Sequence, residues 1–260
     1  MGLFSNIKKY KSAYKNYITV AFEANRKKNR IILSMKNGKR AIWNYEKTNL
    51  YTLSTFYPES SKNIDFYTFE DTKLPNCINF RYKTGPLMMC GLDNDDDFAD
   101  VFIFERLSFL TTKNEDILCI SEDNGESFIY FSINDYSTNN ESKIFGINPN
   151  KENANKNLKI NDIEKRIKLL NYEYKNGSDI KLKTIMNENN INSGYLFIDS
   201  RNSEDKILEE ENEILKKFSK IQIKVYNKNN LLKVKLENAG FKLNTVKNPH
   251  NEILYLNAEI

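Results

Sequence analysis

The sequence predicts an α/β protein with a doubly wound, mostly parallel seven-stranded sheet, preceded by an N-terminal helix and a small β-rich extension. Three observations favour this fold. Short apolar runs alternate with segments of helical periodicity from residue 115 onward. Polar loops follow the apolar runs, as expected where strands end at a ligand-binding edge. The chain closes with two consecutive strand-like runs, which is typical of an antiparallel edge on a parallel sheet.

The composition indicates a globular protein of ordinary type. Of the 260 residues, 40% are hydrophobic and 28% are charged. No apolar run is long enough to span a membrane, and no secretory signal pattern opens the sequence, so a cytoplasmic location is expected. The single histidine, His250, excludes a His-rich metal centre. It falls in a Pro-containing stretch, residues 248–251, that reads as a turn, so a Ser/His/Asp triad is not expected.

The cysteines predict free thiols. Cys77, Cys90 and Cys119 are odd in number and form no CxxC pair. This pattern argues against both a disulfide framework and a zinc site.

Residues 1–30 form a basic segment. They contain eight basic residues and one acidic residue, a local charge of +7, so the remainder of the chain is at −3. Because the charge is not spread over the fold, a nucleic-acid partner is not expected. Apolar residues recur every three or four positions and predict a helix over residues 1–25. Such a helix either docks on its own domain or contacts an anionic membrane surface peripherally.

Residues 31–113 are predicted to form the β-rich extension. The expected strands are 31–35, 40–43, 66–69 and 77–81, with a helical patch near 46–56. Asn37-Gly38 is a strong hairpin signal. The acidic run 93–97 predicts an exposed loop; a calcium loop is the alternative, but Phe98 stands where its turn glycine is required.

Residues 114–260 are predicted to form the main domain. It opens with a strand at 117–120, a helix at 126–136, a strand at 143–147 and a helix from Pro149 to about residue 161, with Asn148 as its N-cap. Ligands in such sheets bind beyond the carboxyl ends of the strands, so residues 121–126 and 148–150 are the candidate site. The later predicted strands are 166–172, 195–198, 220–226, 241–246 and 253–258, and the later helices are 180–189, 203–218 and 229–239.

Five segments in this order resemble the FkbM family of class I methyltransferases. They are VFIFERLSFL (101–110), DILCISEDNGESFIYFSI (116–133), KIFGINPNKENANKNLKIN (143–161), LFIDSRNSEDKIL (196–208) and LENAGFKL (236–243). The resemblance covers nearly the whole chain. It implies transfer of a methyl group from S-adenosylmethionine to a hydroxyl of a small or glycan acceptor, with Asp199 as the catalytic candidate. The implied cofactor-binding positions are Cys119, Ser121, Glu122, Asp123, Gly125, Glu126 and Asn148.

Several of these positions depart from the family pattern. The first-strand aspartate of the family falls on Cys119, its first loop glycine on Ser121 and its ribose-binding glutamate on Asn148, while Gly125 is retained. Each departure is expected to cost about 1 to 3 kcal/mol of cofactor affinity. Glu122 and Asp123 offer replacement carboxylates. The alternative function is therefore a catalytically inactive methyltransferase fold that acts as a binding or interaction module. The oligomeric state and the acceptor have no signature in the sequence.

Overall fold

The computed structural model describes residues 7, 10–11, 14–28, 31–34, 36, 40–43, 64–67, 77–82, 85–91, 95–103, 105–110, 115–136, 143–201, 203–226, 230–247 and 254–260. The chain divides into two compact units, Met1–Glu105 and Arg106–Ile260. The predicted boundaries at residues 30 and 113 stay predictions. Every helix among the described residues is too short or too polar to cross a lipid bilayer.

In the N-terminal unit the helix α1 spans Tyr17–Asn25, and residues 7, 10 and 11 before it are also helical. The prediction of one helix over residues 1–25 was wrong, because Tyr14 lies in an isolated β-bridge. The apolar residues also divide between two environments: Val20 and Ala21 are buried, whereas Ile18 and Phe22 are 52% and 48% exposed. Membrane contact through residues 1–30 stays a prediction.

Two small antiparallel sheets follow α1. In the first, β1 (Ile31–Ser34) pairs with β2 (Arg40–Trp43). In the second, β4 (Cys77–Tyr82) pairs with β3 (Ile64–Tyr67) and with β5 (Gly85–Cys90). The strand β5 was not predicted. Asn37-Gly38 and the helical patch at 46–56 lie outside the described residues.

An aromatic cluster packs the end of this unit. The rings of Phe80 and Phe98 meet edge to face at 4.9 Å between centroids, and Phe102 lies 5.0 Å from Phe80. Phe98 ends the short helix α2 (Asp95–Phe98), which continues as a π-helical turn, Ala99–Ile103. The prediction of an exposed loop over 93–97 is therefore wrong at its end, because burial of Phe98 holds residues 95–98 in helix.

The prediction of free thiols is wrong for the N-terminal unit. Cys77 and Cys90 are directly opposed in the antiparallel ladder. Cys90 is disulfide-bonded and Cys119 is free, and the sequence contains one further cysteine. Directly opposed strand residues lie close enough to bridge, and sequence spacing does not show that opposition. Disulfides are typical of oxidising compartments, and the cytoplasmic location stays a prediction.

A thiol count tests this pairing. Unfolded, unreduced protein should expose one reactive thiol, that of Cys119, and reduced protein should expose three. Reduction should also destabilise the N-terminal unit by about 3 kcal/mol, because a short closed loop is released. Folded protein is the control and should show almost no reaction, since Cys119 is fully buried. Three thiols before reduction would contradict the pairing.

The C-terminal unit is built on one seven-stranded sheet in the order β11-β12-β10-β9-β6-β7-β8. Its strands are β6 (Ile117–Ser121), β7 (Ile144–Ile147), β8 (Ile167–Leu169), β9 (Gly194–Asp199), β10 (Phe218–Val225), β11 (Lys242–Lys247) and β12 (Leu254–Glu259). Neighbours from β8 to β10 are parallel, and β12 runs antiparallel to both β10 and β11. The predicted doubly wound, mostly parallel seven-stranded sheet is confirmed.

The helices lie between the strands as the alternation predicts. They are α3 (Glu126–Tyr136), α4 (Lys151–Ile160), α5 (Leu182–Asn189), α6 (Asn212–Leu215) and α7 (Asn230–Asn238). The predicted helix over 203–218 is wrong: a 3-10 helix, Asp205–Glu209, is followed by the single turn α6. The break falls at Glu210, whose backbone is extended and whose carboxylate accepts a hydrogen bond from the Leu182 amide at 3.0 Å. This hydrogen bond between distant residues outweighs the helical preference that the apolar periodicity indicates.

The two faces of the sheet differ in chemistry. One face carries the main core, which includes Leu118, Ile120, Ile147, Leu196, Ile198, Ile221 and Ile223. On the other face Phe197 packs against Phe131 of α3 at 5.8 Å between ring centroids. Further along that face the Gln222 side-chain amide donates to the Arg106 carbonyl oxygen and to Asn257 Oδ1, both at 2.8 Å. These bonds fasten the 3-10 segment Arg106–Leu110 to the sheet.

Candidate functional site

The two predicted strand ends lie side by side. β6 and β7 are parallel neighbours, with Ile120 opposite Ile147. Ser121 and Asn148 therefore follow at the same edge of the sheet. Asp199 ends the neighbouring strand on the other side, opposite Ser121. The carboxyl ends of four strands, β8, β7, β6 and β9, meet at this edge.

The loop after β6 is organised by Asp123. Its buried carboxylate accepts hydrogen bonds from the backbone N–H of Gly125 at 2.8 Å, from that of Ser127 at 3.0 Å, and from the Ser127 hydroxyl. Carboxylates in this position satisfy the free N–H groups of a helix N-terminus and complement its dipole. Asp123 is therefore an internal cap of α3. Glu126, in the first turn of α3, is also buried.

The positive φ angle of Gly125 has a packing cause. Gly125 has φ +102°, and a Cβ atom there would lie 3.2 Å from the Ala154 Cα of α4. Only glycine adopts this backbone freely and leaves room for the helix. The resemblance implies a cofactor-binding role for Gly125, and in the structure Gly125 packs against Ala154 of α4.

Asparagine side chains join the loops after β6 and β7. Asn148 donates to the Asp123 carbonyl oxygen at 2.8 Å, and its Oδ1 accepts from the Asn150 N–H at 2.6 Å. Asn157 of α4 donates to the Asn124 carbonyl oxygen at 2.8 Å. Sequence reasoning expected Asn148 to bond a ribose and did not anticipate these links. The loops hold each other by bonds within the chain.

A cavity of about 340 Å³ opens beside these loops. Its volume lies in the range typical of small-molecule sites. Residues that follow four strands surround it: Ile120, Ser121 and Glu122 from β6; Ile147, Asn148, Pro149 and Lys151 from β7; Tyr172, Glu173, Tyr174 and Lys175 after β8; and Ser200 and Ser203 after β9. Of the predicted site residues, Ser121, Glu122 and Asn148 are brought together here.

One wall of the cavity is a chain of hydroxyl groups that sequence reasoning missed. The Ser200 hydroxyl donates to the Glu122 carboxylate, and Ser203 Oγ lies 2.9 Å from Ser200 Oγ. Ser203 also bonds the Tyr174 carbonyl oxygen. The nearest available signal was the serine pair that follows the strand end at Asp199, in the segment DSRNS.

Tyr174 and Glu210 anchor this wall from behind. The Tyr174 hydroxyl donates to Glu210 Oε1 at 3.1 Å. Burial, followed by the nearby Glu210 carboxylate, raises the pKa of Tyr174 well above its ordinary value. Burial also raises the pKa of Glu210. Both shifts favour the uncharged forms, as expected for a pair removed from water.

The remaining predicted residues, Cys119, Asp123, Gly125, Glu126 and Asp199, lie outside the cavity lining. The fully buried thiol of Cys119 has a pKa raised well above its ordinary value, first by burial and then by the charges of Asp123 and Asp199. The thiol is therefore uncharged and unreactive.

Asp199 belongs to a buried polar cluster at the ends of β9 and β10. Its Oδ2 lies 3.2 Å from Lys224 Nζ, and its Oδ1 accepts from the Tyr226 hydroxyl. The side chains of Lys224 and Asp199 are 1% and 5% exposed. The guanidinium of Arg201 lies over the Tyr226 ring at 5.2 Å. Among the described residues no group of three His, Cys, Asp or Glu side chains is placed to hold a metal ion.

No protein-family model and no curated protein sequence matches this chain. Solved structures resemble it in fold. A precorrin-6y C5,15-methyltransferase from Geobacter metallireducens is 13% identical, with a TM-score of 0.42 over 60% of this chain and 86% of its own. M. capricolum TrmK, in complex with S-adenosylhomocysteine, is 17% identical, with a TM-score of 0.42 over 60% of this chain and 67% of its own. Aeropyrum pernix fibrillarin, with natively bound S-adenosylmethionine, is 9% identical, with a TM-score of 0.45 over 88% of this chain and 94% of its own.

The strand order itself carries the fold assignment. Numbered along the C-terminal unit, the order is 3-2-1-4-5-7-6, with the seventh strand antiparallel between the fifth and the sixth. The inserted last strand distinguishes it from the dinucleotide-binding order 3-2-1-4-5-6. The C-terminal unit therefore has a doubly wound sheet with an inserted antiparallel last strand.

Proposed function

We propose that this chain is a methyltransferase of FkbM type that moves a methyl group from S-adenosylmethionine to a hydroxyl of a small or sugar-like acceptor. The observation that supports it best is the cavity at the carboxyl ends of β6, β7 and β8. Ligands in doubly wound sheets bind at this edge, next to the strand where the order reverses. The five sequence segments that resemble the family support the proposed reaction class.

The lining residues fit a nucleoside in chemistry as well as in size. Ile147 and Tyr172 provide apolar surface for a purine ring. Asn148 keeps hydrogen-bonding capacity, because its amide has a second N–H and its oxygen a second lone pair beyond the bonds to Asp123 and Asn150. These groups are suited to ribose hydroxyls. The Ser121 hydroxyl adds a further polar group at the same edge.

When bound, the cofactor supplies an electrophilic methyl group on a sulfonium. The task of the chain is then to hold the acceptor oxygen in line and to exclude water, since positioning provides most of the acceleration in such transfers. We assign Asp199 a positioning role, because both of its carboxylate oxygens are already bonded, one to Lys224 and one to Tyr226.

Calorimetric titration with S-adenosylhomocysteine tests the proposal. The wild type should bind it, and Tyr172→Ala should weaken binding about twofold to tenfold, because an aromatic contact contributes about 0.5 to 1.5 kcal/mol. Tyr172→Phe keeps the ring and is the matched control. The inactive alternative predicts no heat and no thermal shift with the wild type at millimolar ligand, and that result would overturn the proposal.

A further inference from the structure

Cys119 places a neutral thiol in the first strand of the C-terminal sheet. The resemblance places the acidic residue of the first strand at this position. The thiol here is fully buried and lies outside the cavity lining. Its raised pKa keeps it neutral. A positively charged ligand therefore finds no counter-charge at the end of β6 itself.

Asp123 does not replace the missing charge. Both of its carboxylate oxygens are occupied by N–H and O–H donors of Gly125 and Ser127, and its side chain is buried inside the loop. Turning it toward the cavity would leave those donors unpaired, at a cost of about 1 to 3 kcal/mol for each.

Two lining residues in the described part of the chain are carboxylates, Glu122 and Glu173. Glu173 forms an ion pair with Lys175. Glu122 differs: within the described residues its carboxylate is bonded by the neutral hydroxyl of Ser200, and no lysine or arginine pairs with it. The Ser200 bond fixes the carboxylate at the cavity wall without neutralising it.

We propose that Glu122 makes this cavity selective for a positively charged nucleoside. The inference rests on the proposed function and adds a residue-level account of how the chain replaces the missing strand aspartate. A cationic group of the ligand, sulfonium or ammonium, would meet the Glu122 carboxylate and complete a charge pair that the chain leaves open. The pair forms as the ligand displaces water, which strengthens it relative to a fully exposed pair.

Three probes with two, one and no cationic groups test the inference by calorimetry. S-adenosylmethionine carries a sulfonium and an ammonium, S-adenosylhomocysteine carries the ammonium alone, and 5′-methylthioadenosine carries neither. Glu122→Gln should lower the affinity for S-adenosylmethionine about tenfold and change that for 5′-methylthioadenosine less than twofold. The affinity of the wild type for S-adenosylmethionine should also fall with added salt, more steeply than that of the variant.

Glu173→Gln is the matched control, because it removes the other wall carboxylate and should change each affinity less than twofold. Equal losses for all three probes, no loss for any, or the same selective loss in Glu173→Gln would overturn the role of Glu122 while nucleoside binding stands. If the wild type binds none of the probes, the proposed function fails, and this inference fails with it.

Discussion

Replacing Asp199 with alanine should lower the free energy of unfolding by about 3 to 5 kcal/mol. The change leaves the Lys224 ammonium buried without the carboxylate that lies 3.2 Å away. Removing the carboxylate partner of a buried charge is among the most destabilising changes that a single substitution makes. Urea denaturation followed by circular dichroism measures the loss. Exposed Asp179→Ala is the control and should stay within about 0.5 kcal/mol of the wild type.

A double variant separates the charge effect from the loss of packing. Asp199→Ala combined with Lys224→Met removes both charges and should recover at least half of the lost stability, because a buried ion pair is often replaceable by apolar groups. A free energy of unfolding for Asp199→Ala that is less than about 1 kcal/mol below that of the wild type would contradict a stabilising ion pair with Lys224. The result also bears on function: loss of activity in Asp199→Ala has to be measured below its unfolding transition, where loss of positioning is separated from unfolding.

Replacing Asp123 with alanine should cost about 3 kcal/mol of stability and abolish nucleoside binding. Two backbone N–H groups and one hydroxyl would lose their acceptor in a buried loop. The loop carries Glu122 and Ser121 into the cavity wall, so its shape and ligand binding should fail together.

The adjacent carboxylate provides the control for this second variant. Glu122→Ala removes an exposed side chain and should change stability by less than about 0.5 kcal/mol. Asp123→Asn keeps one acceptor oxygen and should fall between the wild type and the alanine variant. Thermal unfolding and nucleoside titration of the three variants measure both effects. Full ligand binding by Asp123→Ala would contradict the role of Asp123 in shaping the loop.

The sheet was predictable because buried parallel strands have a simple signature. The runs at 117–120 and 195–198 are apolar and short, and each ends at a polar residue, so the bounds of β6 and β9 follow within one residue. The helix over 126–136 matches α3 in full. Local patterns were sufficient wherever a single face or run decided the structure.

Long-range contacts limited the rest. The break before α6 depends on Glu210 meeting Leu182, and the opposition of Cys77 and Cys90 depends on strand register. Neither is visible in a local pattern.

The candidate site was predictable only as an edge of the sheet. Strand ends identified Ser121, Glu122 and Asn148, which line the cavity. The strand ends did not show on which face of the sheet each side chain lies. Successive strand residues face opposite sides, so Ile198 belongs to the main core, while Phe197, two residues before Asp199, packs on the face of α3. The same period of two places Asp199 on the face of Phe197, whereas Ser200 lines the cavity.

The hydrogen bonds that asparagine side chains make between the loops after β6 and β7 also affect ligand binding. Asn148 and Asn157 already hold the two loops in place, so the cavity is preorganised. Ligand binding therefore needs little ordering of the chain. The free and occupied forms should then differ by less than about 1 Å at these loops. The two loops should therefore keep one conformation with and without a ligand.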